Sequence, residues 1–141
     1  MIVLDTNVLS ELLKANPKQS VIDWVEAQPR SSLYTTTVVE AELLYGLALL
    51  PDGARKAGLE SAVAAMFNDD FSGRVIPFDS LAAHAYSEIA SERKTLGRPI
   101  SQLDAMIAAA AMSRRAALAT RNTRDFLGCG IDVIDPWAAV N

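Results

Sequence analysis

Ile2-Val3-Leu4-Asp5-Thr6-Asn7 joins three apolar residues directly to three that favour helix caps. An apolar run this short is a buried strand rather than a helix. Asp, Thr and Asn side chains accept hydrogen bonds from the unpaired N–H groups of a helix's first turn, so the chain passes from strand into a helix over about residues 6–14. Pro17 ends that helix, and Ser20 is placed to cap a second one through Gln28.

The same order repeats downstream. Leu33–Thr35 reads as a second strand, and Thr37-Val-Val-Glu40 has the capping-box spacing of a helix that runs to Leu50, where Pro51 stops it. A helix from about Gly53 to Phe71 precedes a third strand, Arg74–Pro77. Asp79 or Ser80 then caps a long helix to about Leu96, ended by Gly97 and Pro99. Ser101-Gln-Leu-Asp104 repeats the capping box ahead of Ala105–Ser113. Ala117–Ala119 is a fourth strand, Asn122–Leu127 a short helical turn and Ile131–Ile134 a fifth strand. Strands separated by helices need crossover connections, which build a parallel sheet covered on both faces. The expected architecture is one domain over residues 1–141: a three-layer α/β/α sandwich around a mainly parallel, twisted sheet of four to five strands.

Composition sets the outer bounds. Of 141 residues, 50% are hydrophobic and 21% charged, an ordinary globular balance. The apolar start has no positive lead-in and stops at Asp5, unlike a secretory signal, and the longest apolar stretches, Leu43–Leu50 and Ala105–Met112, fall far short of the roughly 20 residues that cross a bilayer. A cytoplasmic protein without a membrane span is expected. A lone Cys129 has no disulfide partner and a single His84 cannot nucleate a nitrogen-and-sulfur zinc site, so any metal is held by oxygen. The net charge of −4 lacks the basic excess of broad nucleic-acid binders, although clustered carboxylates contribute heavily to it.

Four acids stand where chemistry is favoured. Asp5 follows the first strand, at the carboxyl edge where parallel sheets bind ligands. Glu42 lies among Val38, Val39, Tyr45 and Gly46, on the apolar side of its helix, and Asp104 shares a face with Ile107, Ala108 and Ala111. Asp125, with Thr120 and Asn122, follows the fourth strand. Each has a plainer use: Asp5 as a cap, Glu42 in an ion pair, Asp104 in a capping box with Ser101, Asp125 in a turn. Together they are harder to explain that way, because crossovers of one hand bring these ends to one edge of the sheet. Carboxylates gathered there repel unless a cation neutralises them. Oxygen-only ligation points to Mg²⁺ or Mn²⁺, and such an ion suits phosphodiester hydrolysis. A dehalogenase-like phosphatase would need a second acid two residues after the first, where Asn7 stands.

Leu-Asp5-Thr-Asn-Val, Val-Val-Glu40-Ala-Glu42-Leu-Leu-Tyr-Gly46, Gln-Leu-Asp104-Ala-Met-Ile-Ala and Thr120-Arg-Asn-Thr-Arg-Asp125-Phe resemble the ordered motifs of PIN-domain ribonucleases, nearest to the VapC/FitB-type toxins of bacterial toxin–antitoxin pairs. The likeness extends to the closing Asp135-Pro136-Trp137. It implies a Mg²⁺- or Mn²⁺-dependent endoribonuclease with Asp5, Glu42, Asp104 and Asp125 as its acidic cluster. Asp5 and Asp104 would be metal ligands, Glu42 would orient water or a metal, and Thr6, Asn7, Thr120 and Asn122 would support the site. Some relatives carry the fourth acid at the place of Asn122, so either Asn122 or Asp125 reaches the metal. The resemblance further implies a homodimer, an RNA substrate and a separately encoded antitoxin whose C-terminal segment enters a toxin groove, often with an Arg. Leu43–Leu50 and Ala62–Phe67 are candidate walls for that groove or for the dimer contact. A PIN-like RNA-processing nuclease and a non-catalytic binding module are the alternatives. Arg121 and Arg124 flank the last motif, open to RNA phosphates, to solvent or to the acids.

Overall fold

The computed structural model describes residues 1–138, so the last three positions of the expected 1–141 domain lie outside the described residues. β1 (Ile2–Leu4) runs into α1 (Thr6–Leu12), followed by α2 (Gln19–Ala27) and β2 (Leu33–Thr36). α3 (Thr37–Ala48) and α4 (Ala54–Ala65) precede β3 (Val75–Ile76), and α5 (Ser80–Thr95) and α6 (Gln102–Ser113) precede β4 (Ala117–Ala119) and β5 (Val133–Ile134).

All strand pairs are parallel, in the order β3-β2-β1-β4-β5. Six helices flank the sheet, giving the expected α/β/α sandwich. From β1 the chain winds outward through β2 to β3, then returns across the sheet to place β4 on β1's other side. The strand order therefore reverses between β1 and β4, and the crevice outside the carboxyl ends of those two strands is where such sheets bind ligands. Val3, Leu4, Leu118 and Ala119 are at most 1% exposed, as strands covered on both faces require. The run Ala105 and Ile107–Ala111 is equally buried. Small side chains let α6 lie close to its neighbours, and its most extensive packing is against α5.

Three local expectations change. The cap of α3 is Thr36, whose hydroxyl accepts from Val39 N at 3.0 Å, and Thr37 instead accepts from Phe78 N at 3.2 Å. β2 runs through Thr36 and α3 begins directly at Thr37, so the residue at the junction, Thr36, is the cap and Thr37 is already the first helical residue. Ser20 sits inside α2, whose first residue is Gln19, and its buried hydroxyl has no partner among the described residues. The helix expected through Phe71 loosens after Ala65 into a single π turn, Met66–Asp70. The ending of α5 follows the sequence: Gly97, at φ 71°, lets Gly97 N reach Lys94 O and Arg98 N reach Arg93 O, each at 3.0 Å.

Candidate active site

Asp5, the first residue past β1, is 4% exposed and caps α1. Its Oδ1 accepts from Thr6 N at 2.7 Å, and its Oδ2 accepts from the Thr120 hydroxyl at 2.7 Å and from Asn7 Nδ2 at 3.3 Å. Thr120 is the first residue past β4 and is fully buried. Its hydroxyl also accepts from Asn7 Nδ2 at 3.2 Å and Asn122 N at 3.1 Å, which exhausts one donor and two acceptor positions. Asn7 Oδ1 accepts from Arg121 N at 3.1 Å. The turn leaving β4 is thus tied to the turn leaving β1. A carboxylate offers about four acceptor positions, so three donors leave Asp5 one for a ligand.

Glu42 reaches the same crevice from α3, where its Oε1 accepts from the Thr6 hydroxyl at 2.8 Å. Its surroundings differ from the expected apolar face: Val38, Val39, Leu43 and Leu47 are the buried side of α3, while Tyr45 is 67% exposed and Gly46 is exposed. Glu42 sits half-buried at the border between the two. Asp104 is the third residue of α6, and its N–H donates to Ser101 Oγ at 3.2 Å, so the cap and the candidate ligand are one residue in two uses. Asp5, Thr6, Asn7, Glu42, Asp104 and Asn122 line one open cavity of about 420 Å³, together with Ser10, Glu11, Lys14, Arg121 and Trp137. Asp125 is exposed in the short 3-10 turn Thr123–Phe126 and does not line the cavity, although its charge reaches Asp104.

Burial pushes the Asp5 carboxyl up to about 6. The Thr120 and Thr6 hydrogen bonds pull the other way, and repulsion from Asp104 and Glu42 adds to the rise. Burial also raises Asp104, opposed by its hydrogen bond to Ser101 and reinforced by Asp125. Among the described residues none of the four acids has a Lys or Arg within ion-pair distance. Nor do three of them converge into a ready-made cage. Mg²⁺ does not need one: it keeps several waters and takes one or two carboxylates, with substrate phosphate completing the shell. A buried Asp5 with partly buried Glu42 and Asp104, none of the three ion-paired among the described residues, around one open cavity fits that demand.

Residues 2–127 match the PIN domain family. The chain belongs to the PIN domain family. A VapC ribonuclease, Y4jK of Sinorhizobium fredii, is 41% identical over 137 residues, covering 97% of this chain and 98% of that protein. Toxin FitB of Neisseria gonorrhoeae is 37% identical over 137 residues, covering 97% and 99%. The solved structure of FitAcB from Neisseria gonorrhoeae superposes with a TM-score of 0.92 at 37% identity, covering 99% of this chain and 100% of that one.

This PIN domain also uses residues that sequence reasoning did not single out. Glu11 is 6% exposed and accepts from Lys14 Nζ and Lys18 N, each at 2.9 Å. Those two bonds hold its carboxyl below the ordinary range. Each oxygen accepts one bond and the Lys14 ammonium balances the charge, so Glu11 is a structural anion; its i,i+3 spacing from Lys14 is the signal that finds it. Arg93, also 6% exposed, has no carboxylate partner among the described residues. It donates to Arg98 O at 2.7 Å, Asp125 O at 2.8 Å, Leu127 O at 3.1 Å and Cys129 Sγ at 3.4 Å. One side chain on α5 therefore fixes the turn that carries Asp125. Nothing in an Arg in the last turn of a helix announces this.

Beside the acids, a second cavity of about 680 Å³ opens between α1, α3 and α4, with Leu13, Leu43, Leu47, Leu59 and Val63 in its walls. Thr6, Ser10, Lys14 and Glu42 line both cavities, so the apolar groove runs into the acidic one. Among the described residues no helix is long and apolar enough to cross a membrane.

Proposed function

We propose that this PIN domain is a Mg²⁺- or Mn²⁺-dependent endoribonuclease acting as the toxin of a toxin–antitoxin pair. One observation carries the reading: Asp5, nearly inaccessible and without a protein cation, shares an open cavity with Glu42 and Asp104. A charge in that setting is stable only if something positive arrives. Asp5 and Asp104 would hold the metal, with Asn122 on the cavity wall and Asp125 outside it as the two contenders for the place of the fourth acid.

A divalent ion held there would supply Lewis acidity, acidifying water and neutralising charge on the phosphoryl group. The protein's own part is orientation. Thr6 holds Glu42 by Oε1, which leaves Oε2, without a partner among the described residues, to accept a proton from the attacking water. Water oxygen bonds to phosphorus, the bond to the departing ribose oxygen breaks, that oxygen takes up a proton from solvent in the open cavity, and Glu42 returns its proton to solvent. Thr120 and Asn7 keep Asp5 from turning while this happens.

The toxin role rests on the likeness to Toxin FitB over nearly the whole chain. The apolar groove that merges with the acidic cavity suits the C-terminal segment of a cognate antitoxin, its apolar side chains on Leu43, Leu47 and Val63 and an Arg reaching the acids. Leu44, Tyr45 and Leu49, each more than half exposed on or just beyond α3, offer a contact for a second copy in a homodimer. Protein purified free of antitoxin should cut single-stranded RNA with Mg²⁺ or Mn²⁺ and stop on addition of chelator. Full activity in Asp5→Asn would overturn the assignment.

A further inference from the structure

We propose that Arg121, seated on the ring of Trp137, is the RNA-phosphate contact of the acidic cavity; this deepens the endoribonuclease reading and rests on it. The cavity wall carries four carboxylates, Asp5, Glu11, Glu42 and Asp104, against two cations, Lys14 and Arg121. A polyanion approaching such a wall is repelled unless an uncommitted positive charge receives it. Lys14 is committed, since its ammonium lies 2.9 Å from Glu11 Oε1. Arg121 has no carboxylate within ion-pair distance among the described residues.

Its guanidinium carbon instead stands 5.3 Å from the centre of the Trp137 ring. This cation–π contact uses no N–H, and among the described residues the side-chain N–H groups of Arg121 make no hydrogen bond, so the guanidinium fork remains available to bind a phosphate through two parallel hydrogen bonds. The seat is fixed at both ends. The backbone N–H of Arg121 donates to Asn7 Oδ1, and Trp137 N donates to Asp135 Oδ1 at 2.9 Å. Asn7 in turn holds Asp5, so the phosphate hand and the metal-holding carboxylate are two bonds apart in one network. Arg124 is exposed and stands off the cavity wall, which separates two arginines that look equivalent in sequence.

The test is binding of a labelled single-stranded oligoribonucleotide, followed by fluorescence anisotropy in chelator so that nothing is cut, with steady-state cleavage in Mn²⁺ alongside. Arg121→Ala should weaken binding about tenfold, flatten the slope of log affinity against log salt by about 0.7, and raise KM more than it lowers kcat. Arg121→Lys should recover the slope but not all of the affinity, because charge returns without the planar fork. Trp137→Phe should bind better than Trp137→Leu, which keeps every charge and removes the seat. Arg124→Ala should bind within about twofold of the parent. If Arg121→Ala and Arg124→Ala bind alike, with the parent's salt slope, the assignment is wrong. Cleavage intact with KM unmoved in Arg121→Ala overturns this contact and leaves the ribonuclease reading standing. Arg121-dependent binding without cleavage in Mn²⁺, or in Mg²⁺ put in its place, does the reverse.

Discussion

The Thr120 hydroxyl donates to Asp5 Oδ2 at 2.7 Å across the line where the strand order reverses. Thr120→Val keeps the shape, removes that donor and strips the acceptor from both Asn7 Nδ2 and Asn122 N. Leaving buried polar groups unpaired costs about 1–3 kcal/mol. Without the donor the Asp5 carboxyl rises further, so the acid limb of the pH–rate profile should move to higher pH. Thr120→Ser should restore both stability and profile; an unshifted profile in Thr120→Val would mean the bond does not tune Asp5.

Asp5 gives the metal-free protein its own pH dependence. The folded carboxyl stands at about 6, above its ordinary value of 3.8, so its contribution to stability is complete below 3.8 and is lost as pH rises through 6. The shift corresponds to about 3 kcal/mol at most. Thermal melts should therefore show Mn²⁺ stabilising the protein more at pH 7.5 than at pH 5, and Asp5→Asn should melt higher than the parent at pH 7.5 in chelator. A lower melting point for Asp5→Asn there would contradict the burial argument.

Arg93→Met removes the donor shared by Asp125 O, Leu127 O and Cys129 Sγ. Hydrogen bonds to a charged donor are worth about 1.5–3 kcal/mol each, so urea unfolding should report a loss of about 3 kcal/mol or more. The backbone from Asp125 to Cys129 should also exchange its amide hydrogens faster. Parent-like stability in Arg93→Met would show that the clamp is dispensable.

Asp125 and Asn122 can be separated by exchange. Asn122 lines the cavity and Asp125 does not, so Asn122→Asp should tighten Mn²⁺ binding, measured by calorimetry, while Asp125→Asn should weaken it less than Asp104→Asn does. If Asp125→Asn matches Asp104→Asn in its loss, the turn swings inward when metal binds.

Most of this fold was legible because strand, cap and helix follow one another without spacers: Leu4 to Asp5 to Thr6, Ala119 to Thr120. Gly97 and Pro51 mark their helix ends for the same local reasons. What local signals miss is decided by distance. Thr36 and Thr37 are chemically alike, and only the length of β2 selects the cap. Helix angle alone places Glu42 on an apolar face, yet the groove beside α3 leaves Tyr45 and Gly46 in solvent. Arg93 resembles any solvated helix residue until the Asp125 turn closes over it. The pairing of Arg121 with Trp137 depends on how β5 and its exit turn pack, which no motif encodes.

The reversal between β1 and β4 also sets when the protein becomes active. Asp5 is made 115 positions before the hydroxyl that holds it, which comes with the strand that forms one wall of its crevice. A nascent chain stopped before Ala117 owns Asp5, Glu42 and Asp104 and lacks the scaffold that sets the first of them in place. Contacts this far apart in sequence are also the slow ones to form. The ribosome making this nuclease therefore holds an unassembled blade until the fourth strand has been made, and an antitoxin has that interval in which to be present.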